Sequence, residues 1–376
     1  MIYLDFAATT KPSSEVLEIF NEVNAKFWAN PDSLHNFGIK AEAVLEHSRK
    51  NILECFNAQN EYNLIFTSSA TESNNTIIKS VANLRQKQGK HIITTNIEHP
   101  SVREVVLNLQ KSGFDVEFLP VNEKGAVFVE QVKNAVKNDT ILVSIMHVNN
   151  EIGSINEIFD IAKAIKKINK NIMFHADCSQ SVGKLPVNLQ NSTIDFISFS
   201  GHKIECVKGV GAIICKKNFN IQPLLHGGNQ EFGLRAGTTN PATAAALAKS
   251  VKTAVKNQKE NFEKVKKIQK ILLNEFKKNP EIIINSPENN SPFIVNFSVL
   301  KHKSETILRA LSEKEIYIST ISACSAKKSA ESYVIKAITD DAQRPKSSLR
   351  VSLSADLNEN DIFTFVNELK NIMLSI

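Results

Sequence analysis

The sequence predicts an α/β fold: a mainly parallel sheet covered on both faces by helices, followed by a smaller α+β unit. Short apolar runs alternate with amphipathic segments through the first two-thirds of the chain, the pattern of strand–helix–strand units with parallel strands. A helical pattern then continues with little interruption from Asn240 to about Lys278. Beyond it two further apolar runs appear in a changed context.

The strands of the sheet fall at Leu64-Ile65-Phe66-Thr67, His91-Ile92-Ile93-Thr94-Thr95, residues 140–145, residues 171–175, Phe196-Ile197-Ser198-Phe199 and Gly211-Ala212-Ile213-Ile214. In the clearest helix between them, Ile158, Ile161, Ala162, Ile165 and Ile168 recur at three- and four-residue spacing, and lysines crowd its C-terminal end. Asn240 serves as N-cap and Pro241 as the first helical residue of the long helix. Its length suits a connector between two units. Residues 293–299 and 348–353 read as strands of the smaller unit. There is no internal repeat and no low-complexity segment.

A length of 376 residues suggests about two domains, and 42% hydrophobic with 22% charged residues is ordinary for a soluble protein with a sizeable core. No apolar stretch approaches the roughly 18 residues of a membrane span. Met1-Ile2-Tyr3-Leu4-Asp5-Phe6 does not open a signal peptide, so a cytoplasmic protein is expected, with no membrane partner. Cys55, Cys178, Cys206, Cys215 and Cys324 are odd in number and lack a short paired spacing, which suits a reducing compartment and gives neither a disulfide framework nor a metal site. Cys215, in Ala212-Ile213-Ile214-Cys215, reads as a small buried hydrophobe, and Cys55, between Leu53 and Phe56, reads the same way. The net charge of +6 comes from lysines scattered along helices without aromatic interleaving. Solvated helix faces account for them, and no direct nucleic-acid partner is expected.

In open α/β sheets ligands collect beyond the carboxyl ends of the strands, so the polar residues that follow each strand are the ones to gather. Lys203, in Ser200-Gly201-His202-Lys203, could form a Schiff base with an aldehyde cofactor. Asp177 could keep a pyridine nitrogen protonated. Thr67-Ser68-Ser69-Ala70-Thr71 leads from strand to helix and could cradle a phosphate on backbone amides and hydroxyls. His99, in Glu98-His99-Pro100, could stack on an aromatic ring or move protons. Each has a plainer reading alone: a solvated lysine, a turn or cap residue, a capping hydroxyl, a structural histidine. Together they fall at one rim.

These residues sit in a longer series: Tyr3-Leu4-Asp5-Phe6-Ala7-Ala8-Thr9-Thr10, Asn30-Pro31-Asp32-Ser33-Leu34-His35, Ala70-Thr71-Glu72-Ser73-Asn74, His147-Val148-Asn149-Asn150-Glu151, His175-Ala176-Asp177-Cys178-Ser179-Gln180, Ser200-Gly201-His202-Lys203, His226-Gly227-Gly228, Arg235-Ala236-Gly237-Thr238, Ser322-Ala323-Cys324 and Ser347-Ser348-Leu349-Arg350. With these motifs in this order, the sequence resembles, nearly end to end, the cysteine desulfurases of the class-V aminotransferase superfamily. The resemblance implies a fold-type-I pyridoxal-phosphate enzyme. Its large cofactor-binding domain would span 15–250, and a small domain would combine 1–14 with 251–376.

The resemblance also implies roles. Lys203 would hold pyridoxal 5'-phosphate as a Schiff base, Asp177 would face the pyridine nitrogen, Gln180 the ring hydroxyl, and His99 would stack over the ring. Ala70, Thr71, Ser200 and His202 would hold the phosphate. Thr238 would reach the phosphate of a neighbouring subunit, which implies a homodimer. Asn150 would contact cofactor and substrate, and Arg350 would take the substrate carboxylate through its planar fork. Cys324 would accept sulfur from L-cysteine, leaving L-alanine, and an acceptor protein, a scaffold or a relay, would take it onward. The implied pathways are iron–sulfur cluster assembly or tRNA thiolation. A related enzyme that prefers selenocysteine, and a degenerate paralogue kept as a binding protein, are the competing readings. The second is motivated by departures from the family pattern at Glu205-Cys206-Val207, Asn229, Phe232 and Ile321. Cys206 could be a second reactive thiol, though packing suits it better. The chain ends at Ile376, which implies weak docking to any scaffold that needs a longer C-terminal tail.

Overall fold

The computed structural model describes residues 1–219, 221–320 and 331–375. In chain order the first part forms β1 (Ile2–Tyr3), α1 (Ser14–Lys26), α2 (Asn36–Cys55), β2 (Tyr62–Thr67), α3 (Ala70–Arg85), β3 (His91–Thr95), α4 (Pro100–Lys111) and β4 (Asp115–Leu119). Then come α5 (Val129–Ala135), β5 (Thr140–Ser144), α6 (Ile158–Ile168), β6 (Met173–Asp177), β7 (Phe196–Ser200) and β8 (Gly211–Lys216). The long helix α7 (Pro241–Lys277) leads to β9 (Ile282–Ile284), β10 (Ile294–Val299), α8 (Ser304–Glu313), β11 (Ile316–Tyr317), α9 (Tyr333–Ile338), β12 (Ser348–Ser352) and α10 (Glu359–Ser375).

Seven strands make the main sheet in the order β2-β8-β7-β6-β5-β3-β4. Pairings among β3 to β7 are parallel, and only β8 runs antiparallel, to β2 on one side and β7 on the other. The mainly parallel sheet is thus observed, with one strand beyond those expected. That strand, β4, lies at the edge, and its Asp115 and Glu117 break the apolar run that marks the buried strands.

Alternation of side chains along the strands divides them between two cores. Leu64, Phe66, Ile93, Val143, Phe174, Ile197 and Phe199 face a core closed by α2, α6 and the first half of α7. Ile65, Ile92, Leu142, Met173, Phe196 and Ile213 face the other side, under Ile77, Ile78 and Val81 of α3 and Val102, Val105 and Val106 of α4. The expected stripe of α6 is buried at Ile158, Ile161, Ala162 and Ile165, whereas Ile168 at its end is exposed.

A third core surrounds the antiparallel sheet β12-β10-β9 and takes in Val265, Leu272 and Phe276 of α7, α10, and Leu4 and Ala7 from the N-terminal arm. At about 1.5 Å per residue α7 is roughly 55 Å long. Its first half packs in one core and its second half in another. Asn240 caps its first turn, accepting from the Ala242 and Thr243 N–H groups at 3.0 and 3.2 Å, with Pro241 at the first position. Among the described residues no helix is long and apolar enough to cross a membrane.

Candidate active site

The carboxyl ends of β2, β3, β5, β6 and β7 share one edge of the sheet, and a cavity of about 170 Å³ opens there. Its walls are built from the turns that follow the strands. Ala70 and Thr71 come from the start of α3, His99 from the start of α4, and Asn150 from the segment after β5. Asp177 ends β6 and Gln180 follows it, while Ser200 ends β7, His202 and Lys203 follow it, and Arg350 enters from β12. One cavity therefore gathers every described residue assigned above to the cofactor or the substrate except Thr238, which is exposed and does not line it. Cys324 and Ile321 lie outside the described residues.

Local sequence explains the first wall. Ser69 caps α3, its Oγ accepting from the Glu72 N–H at 3.3 Å and its carbonyl from the Ser73 N–H at 3.1 Å. The amides of Ala70 and Thr71, at the first two helical positions, have no partner within the helix by its geometry. Gly211 lets β8 pass this turn, because a Cβ there would lie 2.7 Å from the Ser69 carbonyl carbon.

The lysine wall is stitched to the N-terminal arm. Lys203 Nζ donates to the carbonyls of Ala7 and Ala8, both at 2.6 Å. Thr10 N–H donates to the His202 carbonyl at 2.9 Å, and the Glu205 N–H donates to Thr10 Oγ1 at 2.7 Å. Burial, reinforced by Lys203, Lys208 and Lys184, holds His202 down at about 4, so it is a neutral imidazole at physiological pH. Cys206, three positions beyond the lysine, is buried, and a Cβ on Gly201 would meet its Cβ at 2.9 Å. Burial pushes its thiol up to about 12. Cys206 packs the turn and is not a thiolate. Cys215 is buried as expected, while Cys55 is only partly buried against the core.

At the far end, Arg350 is buried. Its Nη2 pairs with Asp5 Oδ1 and its Nη1 donates to the Asn150 carbonyl, both at 2.8 Å. Its Nε is buried without a hydrogen-bond partner.

Several contributors were not singled out in the sequence. Lys184 Nζ donates to Gln180 Oε1 at 3.1 Å, while Gln180 Nε2 donates to the Ala7 carbonyl at 2.9 Å. Burial, with Lys203 and Arg350 nearby, brings Lys184 down to about 7. Asp5 and Asn74 stand inside motifs quoted above, but their roles depend on partners far along the chain. Phe232, one of the departures, lies over the Arg49 guanidinium at 4.7 Å.

Glu98 is fully buried beneath the site. Its Oε1 accepts from the Thr95 hydroxyl at 2.7 Å and the Met146 N–H at 3.0 Å, and its Oε2 has no partner. Burial raises its carboxyl from 4.5 to about 8. The folded state therefore keeps a proton that the unfolded chain loses above about pH 4.5. This contribution to stability is complete below that pH and is lost as pH rises through about 8. The full swing is at most roughly 5 kcal/mol, at 1.36 kcal/mol per pH unit. Glu98→Gln, which mimics the neutral acid, should flatten the fall in stability between pH 6 and 8. Urea midpoints at the two pH values measure it, and an unchanged slope would reject the assignment.

The residues present fit pyridoxal phosphate. Free amides at a helix start, with hydroxyl and imidazole neighbours, suit its phosphate. The Asp177 carboxylate suits a protonated pyridine nitrogen, and the Lys203 amine and Arg350 complete the lining.

Comparison with known proteins agrees. The aminotransferase class-V family model matches residues 2–365. Cysteine desulfurase IscS of Dictyoglomus turgidum is 37% identical over 374 residues, covering 99% of this chain and 94% of that one. A solved NifS-like protein superposes with a TM-score of 0.93 at 33% identity, covering 100% of both chains. A structure of SspA in complex with cysteine superposes with a TM-score of 0.81 at 31% identity, covering 94% of this chain and 99% of that one. The chain belongs to the class-V aminotransferase family, among its pyridoxal-phosphate-dependent cysteine desulfurases.

Proposed function

We propose that this chain converts L-cysteine to L-alanine and carries the sulfur as a persulfide on Cys324 until an acceptor protein takes it. The substrate C–S bond breaks, an S–S bond forms to Cys324, and a proton replaces sulfur on the substrate β-carbon. One observation carries the reading: Lys203, Asp177, the start of α3 and Arg350 line a single cavity. The relatives named as cysteine desulfurases, and the cysteine complex of SspA, support the choice of substrate.

Pyridoxal phosphate, when bound, supplies a carbonyl for an amine and a ring that draws electrons from the substrate α-carbon. In this reading Lys203 holds it, then takes and returns the α-proton. Asp177 keeps a proton on the ring nitrogen, Gln180 meets the ring hydroxyl, and His99 covers the ring face. Ala70, Thr71, Ser200 and His202 bind the phosphate, joined by Thr238 from a second copy. Asn150 and Arg350 orient the substrate, with the Arg350 guanidinium meeting its carboxylate. The arm 1–14 and residues 251–376 would form the smaller domain over the cofactor-binding domain 15–250. The test is a visible spectrum of the loaded protein before and after L-cysteine, with alanine quantified. No spectral change and no alanine would reject the reading.

Arg350→Ala should raise the half-saturating cysteine concentration far more than it weakens cofactor binding. Truncating one partner of a desolvated charge pair costs roughly 2–5 kcal/mol, about 30-fold to several-thousand-fold. A spectral titration with L-cysteine measures it, and an unchanged midpoint would remove Arg350 from the substrate site.

The homodimer is supported by an apolar exposed face. Trp28, Leu34, Ile39, Leu225 and Phe232 are all exposed, and Gln230 Nε2 donates to Asp32 Oδ2 at 2.6 Å between the two segments that carry them. A scatter of single exposed apolar residues is ordinary, whereas a cluster suits an interface. Light scattering should give twice the chain mass, and an active monomer would contradict the role of Thr238.

A further inference from the structure

Behind the cavity, a set of buried polar side chains meets at one amide. Asn74 Nδ2 donates to Asp177 Oδ2 and to Ser101 Oγ, both at 2.8 Å. Asn74 Oδ1 accepts from the Ser198 hydroxyl. The opposite orientation would set the amide oxygen against a carboxylate, so the donors and acceptors are fixed.

The remaining protons follow. With its own proton committed to Asn74, Ser198 Oγ accepts from His175 Nε2 at 3.0 Å. His175 Nδ1 then accepts from the Ser144 hydroxyl at 2.9 Å. This arrangement needs a neutral ring, and burial holds His175 down at about 4. On the other branch Ser101 Oγ accepts from Asn74, and because the Ser101 N–H makes His99 Nδ1 an acceptor, the Ser101 hydroxyl donates to that nitrogen at 2.8 Å. The Ser101 N–H donates to the same nitrogen at 3.1 Å. The His99 proton is therefore on Nε2. Asp177 Oδ1 accepts from the Ser179 N–H at 2.9 Å, which leaves Asn74 as the side-chain donor that orients its other oxygen.

We propose that Asn74 is a positioning residue for the cofactor: one amide orients the Asp177 carboxylate and, through Ser101, the ring of His99. This rests on the reading that Asp177 and His99 face bound pyridoxal phosphate. An amide relays no protons readily, so the chain from His175 aligns the site and does not conduct protons into it. Asn74 never touches the substrate; it lies on α3, behind the two groups it aligns.

The test is a spectral titration of pyridoxal phosphate into the ligand-free full-length protein, with thermal melting alongside. A hydrogen bond to a charged group contributes about 1.5–3 kcal/mol, so Asn74→Ala should bind about 10- to 150-fold more weakly and shift the absorption band of the bound cofactor. Asn74→Asp is the isosteric control, which keeps the side-chain volume that a truncation removes. Two carboxyls at hydrogen-bond distance do not both ionise readily. With a shared proton the introduced carboxyl donates to Asp177 and binding is kept. As pH rises that proton leaves and binding relative to wild type falls. The titratable groups around the pair, His175 and Asp177 on β6, Glu98 and His99 before α4, and Lys203 after β7, are common to both proteins, so an added step belongs to the substitution.

A lowered melting temperature with unchanged affinity and spectrum would mark Asn74 as structural and overturn the proposal. So would a flat ratio of Asn74→Asp to wild type across pH. A wild type that takes up no cofactor would overturn the cofactor reading, and this assignment with it.

Discussion

Cys324→Ser should release no measurable alanine in steady state, a fall of at least about 1,000-fold, while still binding pyridoxal phosphate and L-cysteine. A hydroxyl holds its proton far more tightly than a thiol and is a poor nucleophile toward sulfur at neutral pH. The other thiols offer no substitute. Burial pushes Cys178, Cys206 and Cys215 up to about 12, and raises Cys55 as well. Mass spectrometry after one turnover, with alkylation to trap persulfides, should find the added sulfur on Cys324 in wild type and nowhere in the variant. Normal turnover with sulfur on Cys206 would move the nucleophile. No modified thiol in wild type would remove the desulfurase reading.

Lys203→Ala should abolish the covalent attachment of cofactor and with it all turnover, since the same amine is assigned the α-proton. Borohydride reduction and peptide mapping should place a pyridoxyl group on Lys203 in wild type and leave the variant unlabelled. Lys184 is the competitor to watch. Its amine is brought down to about 7 and it contacts Gln180 at 3.1 Å, so part of it is unprotonated at neutral pH. A pyridoxyl group on Lys184 or Lys208 in wild type would overturn the assignment.

What could be read in the sequence was local. Lys203, Asp177 and His99 were legible because each follows a buried apolar run, and buried runs mark strand ends at one rim. The cap Asn240-Pro241 was legible because capping is written in adjacent residues. Strand β4 escaped because an edge strand alternates polar with apolar residues. Asn74 escaped because its partners Ser101, Asp177 and Ser198 lie 27, 103 and 124 residues away, and nothing in a helical motif announces them. Glu98 shows the same limit, since its raised carboxyl comes from burial that only the packed fold creates.

The arm that cradles Lys203 also holds partners from far along the chain. Asp5 pairs with Arg350, and the Ala7 N–H donates to Ser352 Oγ, each across 345 residues of chain. Domains fold as synthesis delivers them, and contacts of long range wait for the later partner. The contacts of the arm with Arg350 and Ser352 therefore form only after those later partners have been made. A nascent chain stalled before Arg350 would hold the sheet and its lysine but not the ion pair or the anchored arm. The end of the cavity that Arg350 supplies is therefore completed last, after the strands and the lysine are in place.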